Sequence, residues 1–170
     1  LRVQMASAAE QVFGMMLHVE VQADAAVPEP PEAGAVLGRV TLTLPEGDAD
    51  LELGVWSGRG IAEQMTAIRV PDADVVAEED VFATLREIAT IVGGRIQSAL
   101  HSRGEDVSIG APSVSSLEQP VVMADDWTTV GFHDLAGQVR FGAFLRPVPH
   151  AADAVPAPVE AVRAQPGMQP

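Results

Sequence analysis

The chain has 170 residues, 47% of them hydrophobic, and we expect one domain of ordinary size with a core of its own. It contains no cysteine, which excludes disulfides, thiolate zinc sites and cysteine nucleophiles. Its formal net charge of −14 repels phosphate groups, and no apolar run approaches the length of a membrane span. We therefore expect neither nucleic-acid binding nor association with a membrane.

The first predicted element is a helix over residues 5–17, because apolar side chains recur there with a helical period. Ser7 and Glu10 have the spacing of a capping box, so we interpret both as structural residues near the start of that helix. Residues 19–21 are expected to begin a short strand. An acidic, proline-rich loop follows over residues 28–34.

A hairpin and a short helix are predicted next. Apolar and polar residues alternate over residues 39–44 and again over residues 51–55, which predicts two strands. Residues 45–48, Pro-Glu-Gly-Asp, supply the turn between them. A short helix is expected over about residues 60–68, and Pro71 would end it.

The longest predicted helix runs from residue 80 to about residue 102 and separates two faces at about 100° per residue. One face is apolar and is expected to pack on a sheet. It comprises Val81, Leu85, Ile88, Ala89, Val92, Ile96 and Ala99. The opposite face carries small and polar residues, a set that we call the polar stripe: Asp80, Ala83, Glu87, Thr90, Gly94, Ser98 and His101.

Two consecutive glycines interrupt this helix. Each destabilises a helix interior by roughly 1 kcal/mol relative to alanine, which suggests that something approaches the backbone closely. At Gly93 this would be the sheet, and at Gly94, on the polar stripe, it would be a partner. The alternative is that both glycines mark a weak or kinked helix.

Strand patterns return after the helix, over residues 107–113, 121–123, 128–132 and 138–145, with a hairpin turn at 134–137. The order of elements indicates an α+β domain. In this fold a mainly antiparallel sheet packs against the long central helix and the N-terminal helix.

The domain is expected to cover residues 1–146. Residues 147–170 are rich in alanine and proline and are expected to form an extended or disordered tail. Elsewhere, the four histidines show no metal-ligand spacing. We interpret the acidic residues 72–80 as a solvated loop that favours the start of the long helix, with weak binding of a divalent cation as the alternative.

Three stretches of the chain resemble one family of chemotaxis proteins. The run Glu-Ile-Ala-x-Ile-x-Gly-Gly, which starts at Glu87, is similar to the CheX branch of the CheC/CheX/FliY phosphatases. The opening helix, Ala-Glu-Gln-Val-Phe-Gly-Met-Met-Leu, and the strand Gly-x-Val-x-Leu-x-Leu from Gly38 resemble it as well. The resemblance covers about residues 3–146. Because the opening helix has no second copy of the motif, it favours the one-site CheX type over the two-site CheC type.

The family's motif is a helix with Asp or Ser, then Glu, then Asn, followed further along the chain by a proline. Glu87 matches the glutamate, and Pro112 lies close to the expected proline. Two positions depart from the pattern, since Ala83 stands at the Asp/Ser position and Thr90 at the Asn position. The partner is then expected to contact Ala83, Gly94 and Pro112.

The resemblance implies a reaction, which is removal of phosphate from the aspartate of a response-regulator receiver domain. Glu87 would pair with the receiver's lysine, and Thr90 would orient the attacking water. A hydroxyl can bind water, but it is shorter than an amide and can bond instead to a carbonyl three or four residues back. The resemblance also implies a cytoplasmic homodimer. The Mg²⁺ would belong to the receiver, and this chain would have no metal or cofactor of its own.

Two functions therefore remain open. The first is an aspartyl-phosphate phosphatase, favoured by Glu87, Gly94 and the hydroxyl of Thr90. The second is a catalytically inactive CheX-like module that binds a signalling partner or dimerises, favoured by Ala83 and by the missing asparagine. In the simplest alternative, Glu87 is a solvated residue and Thr90 has no role beyond the helix surface.

Overall fold

Helices and strands follow one another in the computed structural model much as the sequence predicts. It describes residues 2–17, 20–71, 75–134 and 140–150. Their elements are α1 (Arg2–Leu17), β1 (Val21–Ala23), β2 (Val36–Thr43), β3 (Asp50–Ser57), α2 (Arg59–Arg69), α3 (Glu78–His101), β4 (Ser108–Ile109), β5 (Ser113–Ser116), β6 (Thr128–Asp134) and β7 (Arg140–Val148). The α+β class is confirmed. None of the described helices combines the length and the apolar composition that a membrane crossing requires.

All strand pairs among the described residues are antiparallel, which confirms the predicted sheet type. The strand order is β1-β6-β7-β3-β2-β4, and β5 also pairs with β2. Strands β2 and β3 pair from Val36 opposite Ser57 to Leu42 opposite Leu51. The single strand predicted over residues 107–113 is in fact two short strands, β4 and β5, which pair with successive parts of β2.

The apolar face of α3 packs on this sheet. Of its seven predicted residues, all are buried except Ala99, which is partly exposed, and Thr84 and Gly93 are buried beside them. Burial of each large aliphatic side chain contributes about 1.5–3 kcal/mol, so this face provides much of the energy that holds α3 in place.

Two glycines allow α3 to lie very close to β2. A Cβ atom on Gly38 would be 2.8 Å from the backbone oxygen of Leu85, and one on Gly93 would be 2.8 Å from Cγ1 of Val40. Either distance is shorter than a carbon atom tolerates. The close packing predicted at Gly93 is therefore present, and it fixes which face of α3 points away from the sheet.

Helix α1 begins earlier than predicted, at Arg2. The capping-box interpretation of Ser7 and Glu10 is therefore wrong, because both residues lie inside the helix. Instead, Oε1 of Glu10 accepts a hydrogen bond of 3.3 Å from the backbone N–H of Ala23, which ties α1 to β1. The ring of Phe13 stacks on Phe141, with centroids 3.8 Å apart, and joins α1 to the core.

The sheet face that points away from α3 has a smaller apolar cluster. Leu37, Trp56 and Phe144 form it, and a segment with Leu117, Val121, Met123 and Trp127 packs over it. The strand predicted over residues 121–123 is therefore wrong. Its alternating apolar side chains cover the sheet, and the backbone N–H of Val121 bonds to the carbonyl of Pro31 rather than to a strand.

Two predictions concern parts of the chain that are described incompletely. The turn at residues 134–137 falls mostly on residues outside the described ranges. Strand β7 continues to Val148, and Nδ1 of His150 lies 3.0 Å from Oδ1 of Asp50. The remaining tail, residues 151–170, lies outside the described residues, so the division at residue 146 stays a prediction.

The contact between α3 and β2 can be tested with two alanine substitutions. Gly38→Ala should lower the free energy of unfolding by about 1–3 kcal/mol, because the new Cβ would collide with the backbone oxygen of Leu85. Gly94→Ala is the control, since its Cβ would meet nothing within 4 Å. It should raise the free energy of unfolding by up to about 1 kcal/mol. Urea denaturation measures both, and equal effects would contradict the packing described.

Candidate functional site

The polar stripe of α3 forms an open surface. Ala83, Glu87 and Thr90 are exposed, and Gly94 is partly exposed with open space where a Cβ would lie. Because the opposite face of α3 is fixed on β2, these residues point away from the sheet. Residues three and four apart on a helix have Cβ atoms about 5–6 Å apart, so Glu87 and Thr90 are neighbours.

Glu87 already has a cationic neighbour. Oε2 of Glu87 forms an ion pair with Nη2 of Arg69, the last residue of α2. The same guanidinium donates a hydrogen bond of 3.3 Å from Nη1 to Oγ1 of Thr84. Thr84 is buried, and its hydroxyl donates to the carbonyl of Asp80 at 2.9 Å. Helix α2 thus supplies a cation that contacts the Glu87 carboxylate.

The hydroxyl of Thr90 bonds to its own helix. Oγ1 donates to the carbonyl of Arg86 at 2.7 Å, and Ser98 bonds to Gly94 in the same way at 2.9 Å. A hydroxyl has one proton and two lone pairs, so Thr90 in this rotamer can accept a hydrogen bond from water but cannot donate one. An asparagine side chain at this position could do both.

A small cleft of about 140 Å³ adjoins Ala83. Its walls include Arg69, Val70, Asp80 and Thr84. The methyl group of Ala83 adds no polar atom to this surface, so the charged groups beside it are Arg69 and Asp80.

The structure brings four of the five predicted site residues onto one helix face and places the fifth elsewhere. Pro112 is partly buried in the connection between β4 and β5, at the β2 side of the sheet. No hydrogen bond or ion pair among the described residues links it to Glu87 or Thr90. Its contact with a partner stays a prediction.

His101, the last residue of the polar stripe, has a structural role. Its Nε2 accepts a hydrogen bond of 3.2 Å from the backbone N–H of Val107, whose carbonyl accepts one of 2.7 Å from Gln97. These bonds anchor the connection from α3 to β4. Within the part of the chain that the structure describes, no group of three or more His, Cys, Asp or Glu side chains is arranged to hold a metal ion.

The acidic start of α3 is tied to α2. Nη1 of Arg59 donates to Glu78 at 2.9 Å, and its Nε donates to Glu63 at 3.2 Å. The hydrogen bond to Glu78, followed by that to Glu63, raises the pKa of Arg59. Of the acidic segment, residues 72–74 lie outside the described ranges.

A larger cleft lies elsewhere, at about 810 Å³ under the loop that joins β1 to β2. It is lined by ends of β3, β6 and β7, and Nδ1 of His133 lies 2.6 Å from Oδ1 of Asp24 within it. It shares no lining residue with the polar stripe.

Several solved structures share this architecture. CheX from Desulfovibrio desulfuricans superposes with a TM-score of 0.67 at 16% identity, over 86% of this chain and 97% of that chain. The chain has a CheX-like fold. CheX from Vibrio vulnificus gives 0.68 at 15% identity, over 86% of this chain and 95% of that one. No family model matches the sequence, and no curated protein matches it.

One structure with the CheX-like fold includes a partner. It is the complex of CheX and CheY with BeF₃ and Mg²⁺ from Borrelia burgdorferi, with a TM-score of 0.68 at 18% identity, over 85% of this chain and 96% of that chain. At such identities the similarity establishes the fold alone.

The two threonines of α3 should differ in their contribution to stability. Thr90→Val should change the free energy of unfolding by less than about 0.5 kcal/mol, because the hydrogen bond that is lost lies on an exposed helix surface, where water can replace it. Thr84→Val should lower it by about 1 kcal/mol, since a buried hydroxyl and its bond to Arg69 are lost. Chemical denaturation measures both. If the two variants lost equal stability, Thr90 would be a structural residue.

Proposed function

We propose that this chain removes phosphate from the phosphoaspartate of a response-regulator receiver domain. The observation that carries the proposal is the exposed Glu87 on α3 of a CheX-like fold, with Thr90 beside it. The sequence resemblance matches Glu87 to the family's glutamate. The rigid packing of α3 supports it, because a catalytic group must be held in place to accelerate a reaction.

The chemistry required of the protein is limited. Water attacks the phosphorus, the bond from phosphorus to the aspartate oxygen breaks, and the products are the aspartate carboxylate and inorganic phosphate. In the receiver domains that the family acts on, a Mg²⁺ ion and a lysine neutralise the phosphoryl oxygens, so the phosphatase chiefly positions water. Glu87 would bind that lysine, and the oxygen of Thr90 would accept a hydrogen bond from the attacking water.

The surface around the pair suits close approach by a receiver. Ala83 and Gly94 add little bulk on either side of Glu87 and Thr90, and Gly94 has open space above it. In this proposal both residues contact the receiver, and Pro112 contacts it from the edge of the sheet. In this proposal the Mg²⁺ belongs to the receiver, and the protein works in the cytoplasm, where receiver domains are found.

A second function has specific support. Both groups of the proposed pair are engaged within the chain, Glu87 with Arg69 and Thr90 with the carbonyl of Arg86. Ala83 supplies no polar group. These features favour a CheX-like module that binds a receiver or another signalling partner, or dimerises, without catalysis.

An assay of phosphate loss separates the two functions. Wild-type protein should accelerate the decay of a pre-phosphorylated receiver, and Glu87→Ala and Thr90→Ala should each reduce the acceleration by about a hundredfold, because each loses a contact to the reacting groups. Ser98→Ala is the matched control, since Ser98 makes the same bond within the helix two turns further on.

The outcomes of this assay distinguish a phosphatase from a binding module. An unchanged decay rate with wild-type protein that nevertheless binds the receiver would rule out catalysis and leave the binding module. A gain of activity in Thr90→Asn would show that the threonine is a weakened form of the family's site.

We also propose that the protein is a homodimer joined through an edge of the sheet. The edges are β1 on one side and β4 and β5 on the other. An edge strand offers unpaired backbone groups, which a second copy can bind. Analytical ultracentrifugation at micromolar concentration should give twice the mass of the chain, and a monomer mass would contradict this proposal.

A further inference from the structure

We propose that Arg69 is a specificity-determining residue of the same site, because it occupies the Glu87 carboxylate until a cationic group of the partner displaces it. This inference rests on the proposed function and extends it to the partner. A partner that presents no cation at this position would leave the ion pair intact. Only a partner with a cation at this position could bind Glu87.

The position of Arg69 is fixed by its helix. Ala62, Met65 and Thr66 are buried on the inner side of α2, and α2 packs beside α3. Arg69 is the last residue of α2, and its guanidinium contacts α3 at two points, Thr84 and Glu87. The planar, forked guanidinium is suited to such a double contact.

The ion pair is weak enough to be exchanged. The side chain of Arg69 is 29% exposed and that of Glu87 is 45% exposed, so water screens the attraction. Pairs of this kind contribute about 0.2–1 kcal/mol. Arg69 pairs with Oε2, and a carboxylate has acceptor sites on both of its oxygens. An incoming ammonium group can therefore bind Oε1 first and then replace Arg69.

The structure also offers the displaced guanidinium an alternative position. The cleft beside Ala83 is lined by Arg69 itself, by Thr84 and by Asp80, whose carboxylate is a second acceptor on the same side of α3. Arg69 can keep its bond to Thr84 while it turns from Glu87 towards Asp80. The small side chain of Ala83 leaves this space open, which gives the alanine a role in the exchange.

The alternative is that Arg69 has a purely structural role and only connects α2 to α3. The two interpretations predict different effects on binding. If Arg69 competes with the partner, its removal frees Glu87 and strengthens binding. If Arg69 only connects two helices, or if it positions Glu87 for the partner, its removal leaves binding unchanged or weakens it.

The experiment measures the dissociation constant of receiver domains from the source organism, each loaded with beryllofluoride and Mg²⁺. Arg69→Gln should bind about 1.5- to 5-fold more tightly than wild type, the fold-change that corresponds to a pair of about 0.2–1 kcal/mol. Glutamine keeps a donor for Thr84 and removes the charge. Arg59→Gln is the matched control, because Arg59 forms ion pairs in the first turn of the same helix, and it should not change the affinity.

The same substitution in Glu87→Gln protein shows whether the gain in affinity depends on the Glu87 carboxylate. In Glu87→Gln protein the additional Arg69→Gln substitution should give no gain, because the carboxylate for which the two cations compete is absent. Equal or weaker binding by Arg69→Gln, or the same gain in both backgrounds, would overturn the inference. If Glu87→Gln weakens binding in the same experiment, docking through Glu87 stands, and the assay of phosphate loss decides separately whether the protein is a phosphatase. If wild-type protein neither binds nor dephosphorylates any receiver, the proposed function fails and the inference with it.

Discussion

The contact between α3 and β2 determines the rest of this structure. At Gly38 and Gly93 the helix and the strand lie closer than any side chain would permit. This contact fixes the rotation of α3 about its own axis, because turning the helix would force a larger residue into the same space. The buried face of α3 then completes the core, and the polar stripe must face outwards. The stability of the fold and the proposed function thus depend on the same two glycines.

The outward face presents a pair of groups that are both engaged within the chain. Arg69 neutralises Glu87, and the carbonyl of Arg86 accepts the proton of Thr90. In the proposed reaction the free protein is therefore in a resting state, and docking exchanges one internal partner for an external one. Such an exchange favours partners with the right cation over partners that merely fit the surface.

Much of this architecture could be predicted from sequence, because it depends on local periodicity. The 3.6-residue period of α3 gave its buried and exposed faces, and the antiparallel sheet followed from alternation over residues 39–44 and 51–55. The errors arose where a local pattern has more than one use. Alternating apolar residues at 121–123 cover the sheet instead of joining it. Ser7 and Glu10 match a capping box but lie within a helix that begins earlier.

Of the candidate site, Glu87 and Thr90 could be located on their helix. A bond from the threonine hydroxyl to a carbonyl of its own helix was one of two possibilities, with water as the other. Arg69 and Thr84 were missed. The sequence shows an arginine in the last turn of a short helix, but which side chain it meets depends on how α2 packs on α3, and no local pattern encodes that. The role of the Thr84 hydroxyl, which accepts a hydrogen bond from the Arg69 guanidinium, likewise depends on how α2 packs on α3.

In the proposed function, the part of the polar stripe between Ala83 and Gly94 is the surface that meets a phosphorylated receiver. An NMR titration of ¹⁵N-labelled protein with a beryllofluoride-loaded receiver domain tests it residue by residue. Amide signals of Ala83, Glu87, Thr90 and Gly94 should shift or broaden, while that of Leu37 on the opposite face of the sheet should not. Changes confined to that opposite face, with the α3 signals unmoved, would contradict it.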